Sequence, residues 1–237
     1  MGSTRFPGKP LVDLLGKTMV QRVYEAAIES NVGDQVVVAT PDPEIMEACE
    51  SFGATGVLTR HDHITGTDRI AEVAEKIVAE VYVNVQGDEP LIQPSSIAAC
   101  AEPLLHDPSI QMGSVFCDCL ESEENDPSAV KVVTDESGFA LYFSRCPIPF
   151  PRNPRQVSLK KHLGLYAFRR DPLMQFSKWQ PTALELTESL EQLRFLGNGI
   201  RIKMSMSVGA ELAIDTPEQA DEVRRILASR EGGAVVS

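Results

Sequence analysis

The consecutive segments TDRIAEVAEKIVAE (67–80), VYVNVQ (81–86), GDEP (87–90) and PSSIAACAEPLLH (94–106) decide the fold class. They read as helix, strand, turn and helix, and the same alternation extends in both directions. That is the pattern of a mostly parallel sheet with helices on its faces, an open α/β architecture. Upstream, residues 19–30 place Val20, Val23, Tyr24, Ala27 and Ile28 on one helical stripe. Residues 35–39 form a short strand, and Thr40-Pro41-Asp42-Pro43 stops it ahead of a helix over 44–52. Downstream, residues 130–134 and 140–144 flank the turn Asp135-Glu136-Ser137-Gly138 as a β-hairpin, followed by a Pro-rich arm over 146–154. Residues 163–168 read as a strand, 184–196 as a helix, 200–206 as a strand and 216–229 as a closing helix. No repeat and no long linker interrupts the series, so a single domain over residues 1–237 is expected.

A chain of 237 residues with 43% hydrophobic and 24% charged residues can bury a substantial core, which excludes disorder and fibrous classes. Its apolar runs fall short of the ~20 residues a spanning helix needs, and its start lacks a signal-peptide pattern, so a cytoplasmic location and no membrane partner are expected. A net charge of −12 repels a phosphate backbone over most of the surface, so no nucleic-acid partner is expected. A small anionic ligand is still permitted, because a few cations set a local potential. Five cysteines without a repeated Cys-x-x-Cys spacing fit a reducing compartment. Cys117 and Cys119 read as packing residues rather than metal ligands, and the acidic run over 121–126 as a solvated loop.

Chemistry concentrates in a few stretches. Gly2-Ser3-Thr4-Arg5-Phe6-Pro7-Gly8-Lys9 combines glycines that let amides approach phosphate with two cations, although its spacing is not that of a Walker loop. A basic N-terminal tail is the alternative reading. Asp88 lies in the turn after a strand, where ligands of open α/β sheets bind, and Gln86 is its neighbour. Gly66 and Thr67 open a helix with amides and a hydroxyl suited to an anion, and Arg69 adds charge. His162, Gly164 and Tyr166 share one strand face. Glu188 and Glu191 stand i, i+3 on one helix face, and Asp215 before Thr-Pro-Glu reads equally well as a helix cap.

Taken in order, GSTRFPGKPL, RHDHITGTDR, NVQGDEPLI, ALYFSR, HLGLYAFRR, ESLEQLR and IDTPEQ resemble the 3-deoxy-manno-octulosonate (Kdo) cytidylyltransferases, over residues 2 to about 225. The resemblance implies a Rossmann-like nucleotidyltransferase sheet with a hairpin and arm insertion, one catalytic domain, and a homodimer. It implies an enzyme that transfers CMP from CTP to the anomeric 2-hydroxyl of Kdo for lipopolysaccharide biosynthesis, with release of pyrophosphate and a requirement for Mg²⁺. Carried over residue by residue, Asp88 and Asp215 hold the metal, and Lys9 with Arg5 neutralises phosphate and developing charge. Ser3, Lys9, Gly66, Thr67 and Arg69 lie along the nucleotide. Arg5, Gln86, His162, Tyr166, Glu191 and Gln192 meet the sugar acid.

The resembled family carries a hydrophobic strand and an Ala-Arg pair ahead of the first loop. Here the loop begins at residue 2, so the first strand is expected to be missing from this chain. An 8-amino-Kdo or other sugar-acid enzyme, and an inactive nucleotide or sugar-acid binding protein, are the alternative functions.

Overall fold

The structure is a computed structural model that describes residues 6–207 and 213–233. In chain order it runs through a 3₁₀ turn Lys9–Leu11, α1 Met19–Glu29, β1 Val37–Thr40, α2 Pro43–Ser51, β2 Thr55–Leu58, α3 Gly66–Lys76, β3 Val81–Asn84 and α4 Pro94–His106. It continues with β4 Met112–Asp118, a 3₁₀ turn Glu121–Glu123, β5 Lys131–Thr134, β6 Ala140–Ser144, β7 Lys160–Arg169 and α5 Arg170–Phe176. The last elements are α6 Ala183–Glu188, α7 Gln192–Gly197, β8 Ile202–Met206 and α8 Pro217–Gly233. These fall into two compact units. The first takes Met1–His61, Val85–Pro94 and Ala210–Ser237, and the second Asp62–Asn84 and Ser95–Gly209.

In the first unit β1 and β2 pair in parallel, Val37 against Thr55 through Thr40 against Leu58. The intervening α2 starts on Pro43, whose fixed φ and missing N–H suit the first turn of a helix. Its Ile45 and Cys49 pack with Ala54. A second cluster joins Leu14 and Met19 to Leu91, Ile214, Ala220 and Val223, with Phe6 packed against it. This cluster gathers three distant stretches of chain, and those stretches carry Lys9, Asp88 and Asp215.

The second unit is built on β7. One edge of β7 pairs with β4; the other pairs with β5 at its start and β3 at its end. β3, β4 and β5 each run antiparallel to β7, and β8 runs parallel to β4. Four strands therefore share one direction, as the mostly parallel reading expects, and β7 and the hairpin strand β6 oppose them. α4 lies so close to β4 that a Cβ on Gly113 would stand 2.6 Å from the Cys100 carbonyl oxygen. Aromatic rings fill the core, with Phe168 against Phe195 at 5.3 Å and Phe176 against Phe195 at 4.8 Å between centroids.

The expected hairpin and α4 stand as read. Other elements differ: β7 is longer than residues 163–168, β2 and α5 were not anticipated, and the helix expected over 184–196 is two helices. Ser189 sits at φ 52°, ψ 51°, a left-handed conformation that ends α6. The acidic run is tied down rather than free. Lys161 Nζ reaches Glu123 Oε1 at 2.6 Å, Arg155 pairs with Glu124, and the fully buried Lys131 donates to the Asp126 carbonyl at 2.7 Å. Cys117 is buried in β4 and Cys119 lies beyond its end; neither belongs to a metal-binding group among the described residues.

Candidate functional site

In the first unit the Lys9 ammonium stands between two carboxylates, 2.9 Å from Asp88 Oδ2 and 3.1 Å from Asp215 Oδ1. Local structure explains the meeting. Gly8, at φ 72°, caps the 3₁₀ turn that begins with Lys9, a backbone conformation natural to glycine. The Ile214 amide donates to the Asp88 carbonyl at 2.9 Å, which brings the two acidic segments side by side. Burial, the largest influence on Lys9, pushes its pKa down, but hydrogen bonds and charge from Asp88 and Asp215 outweigh it and hold the pKa above the usual lysine value. Asp215 is not the cap of α8. Thr216 Oγ1 accepts from the Gln219 amide, and Gln219 Oε1 accepts from the Thr216 and Asp215 amides. This reciprocal arrangement is a capping box, and it leaves the Asp215 carboxylate for the cation.

Two carboxylates converging on one cationic position fit a magnesium ion, which takes one or two protein carboxylates and fills its other positions with water and phosphate. Among the described residues no group of three or more His, Cys, Asp or Glu side chains is placed to hold a metal. A substrate-shared magnesium does not need one.

In the second unit a polar row crosses the sheet. Asn84 of β3 is the register partner of Tyr166 of β7, and Tyr166 is the partner of Ser114 of β4. Between Ser114 and Val115 the register jumps from Tyr166 to Leu163, so Gly164 and Leu165 form a bulge. Ser114 Oγ donates its single proton to the Leu165 carbonyl at 2.8 Å, so its 2.9 Å contact with His162 Nε2 is donated by the ring. That fixes the tautomer and leaves His162 Nδ1 as an acceptor. Burial pushes the His162 pKa down to about 3, so the ring is neutral. Tyr166 OH donates to Gln192 Oε1 at 3.3 Å. Burial pushes the Glu191 pKa up, against the opposing influence of the Thr65 and Thr67 hydroxyls and Arg194.

Two buried polar atoms here, Asn84 Nδ2 and Gln192 Nε2, have no hydrogen-bond partner among the described residues. Buried polar groups in folded proteins are nearly always paired, so these two donors stand open to an acceptor from outside the protein. The loop before α3 is held by Thr65, which accepts from the Asp68 amide and donates to Asp68 Oδ2, and by His63 against Glu72 at 2.5 Å. Gly66 and Thr67 follow as the first residues of the helix, and Arg69 lies one turn in.

The structure groups Lys9, Asp88 and Asp215 in one unit and Thr67, His162, Tyr166, Glu191 and Gln192 in the other. Gln86 lies in the turn that carries Asp88, its carbonyl accepting from the Glu89 amide. Ser3 and Arg5 lie outside the described residues. Glu188 and Glu191 do not share a helix face, because the break at Ser189 separates them. Glu188 instead accepts from Ser144 Oγ at 2.7 Å and the Arg145 amide at 2.9 Å, tying α6 to the hairpin. Arg194 pairs with Glu185 and lies over the Phe176 ring at 4.0 Å. Sequence reasoning missed Ser114 and Asn84. The one available signal was asparagine in a strand, where it is an unfavourable residue.

A cytidylyltransferase family model matches residues 1–202. The chain is 49% identical to the 3-deoxy-manno-octulosonate cytidylyltransferase of Syntrophotalea carbinolica, covering 91% of this chain and 90% of that protein. It is 42% identical to the protein of the same name from Escherichia coli, covering 96% and 92%. Among solved structures, CMP:2-keto-3-deoxy-manno-octonic acid synthetase complexed with CTP superposes with a TM-score of 0.93 at 42% identity, covering 97% of this chain and 95% of that one. A putative glucose-1-phosphate thymidylyltransferase from Bacillus anthracis shares the fold, with a TM-score of 0.65 at 11% identity over 92% of this chain and 85% of that one.

Proposed function

As this chain belongs to the cytidylyltransferase family, and within it to the 3-deoxy-manno-octulosonate cytidylyltransferases, we propose that Lys9, Asp88 and Asp215 handle its nucleotide phosphates and that the polar row of the second unit holds its sugar acid. The enzyme transfers CMP from CTP to the anomeric hydroxyl of Kdo. The new bond joins the anomeric oxygen to the α-phosphorus; the bond from that phosphorus to the bridging oxygen breaks, pyrophosphate leaves with the electron pair, and the hydroxyl proton passes to solvent.

Such chemistry needs positioning and charge neutralisation rather than a nucleophilic side chain. Magnesium held by Asp88 and Asp215 would neutralise phosphate charge and acidify a hydroxyl brought to it. Lys9, kept protonated by its two carboxylates, supplies positive charge to the phosphates. Thr67, with Gly66 and Arg69, lies along the nucleotide, together with Ser3. Gln86 and Arg5 meet the sugar acid from their own segments. His162 serves as a neutral acceptor for a sugar hydroxyl, since a pKa of about 3 makes it a poor base near neutrality. Tyr166, Gln192 and Glu191 complete the polar lining. We further propose that the enzyme works as a cytoplasmic homodimer feeding lipopolysaccharide biosynthesis.

The observation that carries this reading is the convergence of Asp88 and Asp215 on the Lys9 ammonium. Pyrophosphate release with CTP, Mg²⁺ and a panel of sugar acids tests the activity. Asp88→Ala and Asp215→Ala should each lower kcat by at least a hundredfold with the fold intact. Turnover near that of the parent in either variant removes that residue from the metal site.

A further inference from the structure

We propose that Asn84 is a specificity-determining residue for the acid sugar, its side-chain amide donating hydrogen bonds to the substrate's oxygens. The inference rests on the function proposed above and adds a residue to it. Asn84 is 4% exposed, and its Nδ2 has no hydrogen-bond partner among the described residues. It closes β3, and ligands of open α/β sheets bind beyond the carboxyl ends of strands. Its register partner is Tyr166, so the two side chains leave the same face of the sheet. On that face Tyr166 already donates to Gln192, whose own Nε2 is a second buried donor without a partner among the described residues.

Two unsatisfied amide donors beside a tyrosine suit a ligand rich in acceptors. A polyhydroxylated carboxylic acid is such a ligand; a cytosine base, with its donor and acceptor edge, needs acceptors as well. The unpaired Nδ2 of Asn84 costs the fold stability. Asparagine is a poor strand former, and a buried amide without a partner is destabilising, so valine or leucine would serve the sheet better. A residue that breaks a local rule without a structural return is expected at a functional site.

The test compares Asn84→Ala, Asn84→Ser and Asn84→Asp with the parent enzyme, measuring KM for Kdo, KM for CTP and thermal midpoint. The expected result is a KM for Kdo raised about tenfold or more in Asn84→Ala and Asn84→Asp. The aspartate is the worse of the two, because it replaces a donor with a charge that repels a carboxylate. KM for CTP should stay within twofold, and the midpoint should not fall. Asn84→Ser reports on the same split if either of the others fails to fold. A KM for Kdo within twofold of the parent in the folded variants overturns the inference, as does an equal rise in both KM values. A parent enzyme that releases no pyrophosphate with any sugar acid overturns the underlying function instead, and the inference with it.

Discussion

With its pKa near 3, His162 stays neutral over a range in which the unfolded chain, titrating near 6.5, takes up a proton. Between those values the unfolded state binds more protons, so stability is full above about pH 6.5 and is lost as pH falls toward 3. One such proton corresponds to about 1.4 kcal/mol per pH unit. Urea unfolding at pH 7, 6 and 5 should therefore show a steeper loss for the parent than for His162→Asn, by about that slope. Parallel profiles would assign the acid sensitivity to other groups. At this scale the sequence was informative where a motif carried the residue, as with Asp88 and Asp215. It was silent where a residue's importance comes from what it fails to touch. Nothing in the order of residues announces that Asn84 Nδ2 is buried without a partner among the described residues, because the absence is a property of the packed state.

Among the elements, the two helices around Ser189 show why periodicity misleads. The stretch over 184–196 contains neither glycine nor proline, so its apolar spacing reads as one helix. The chain breaks because Glu188 and Arg145 tie α6 to the hairpin while Arg194 and Glu185 lock α7 against α6. Tertiary bonds thus override a local preference that no short window reveals. A serine at φ 52° bears a left-handed backbone that costs a non-glycine residue about 1–2 kcal/mol. Ser189→Gly should raise stability by about 0.5–1 kcal/mol, after allowing for the added freedom of the unfolded chain. Equilibrium denaturation measures it, and a loss of stability would mean that the serine side chain stabilises the break. The bulge at Gly164 and Leu165 was equally hidden. It arises from a register jump between β4 and β7, so it belongs to a pair of strands and to neither sequence alone.

For the whole molecule, the alternation of helices and strands gave the fold class correctly, and the order of motifs gave the family. The resemblance brought Lys9, Asp88 and Asp215 to one site, but not the fact that their segments would share one small core with Phe6, Leu91 and Ile214. Contacts over such separations are set by global packing, which a local reading does not sample. The convergence has a consequence for how ligands arrive. One ammonium offsets half the charge of two carboxylates, so the proposed cation would meet a site already partly neutralised from within. A triphosphate gives Lys9 a new anionic partner and frees the carboxylates, so magnesium and CTP should bind with positive thermodynamic coupling. Reciprocity then requires each to raise the other's affinity by the same factor. Calorimetry should find weak Mg²⁺ binding to the enzyme alone and at least tenfold tighter binding with CTP present. Lys9→Met should bind Mg²⁺ alone about tenfold more tightly than the parent while losing turnover. The lysine would then act as an internal counter-ion, a placeholder that yields its seat only to the metal and the nucleotide together.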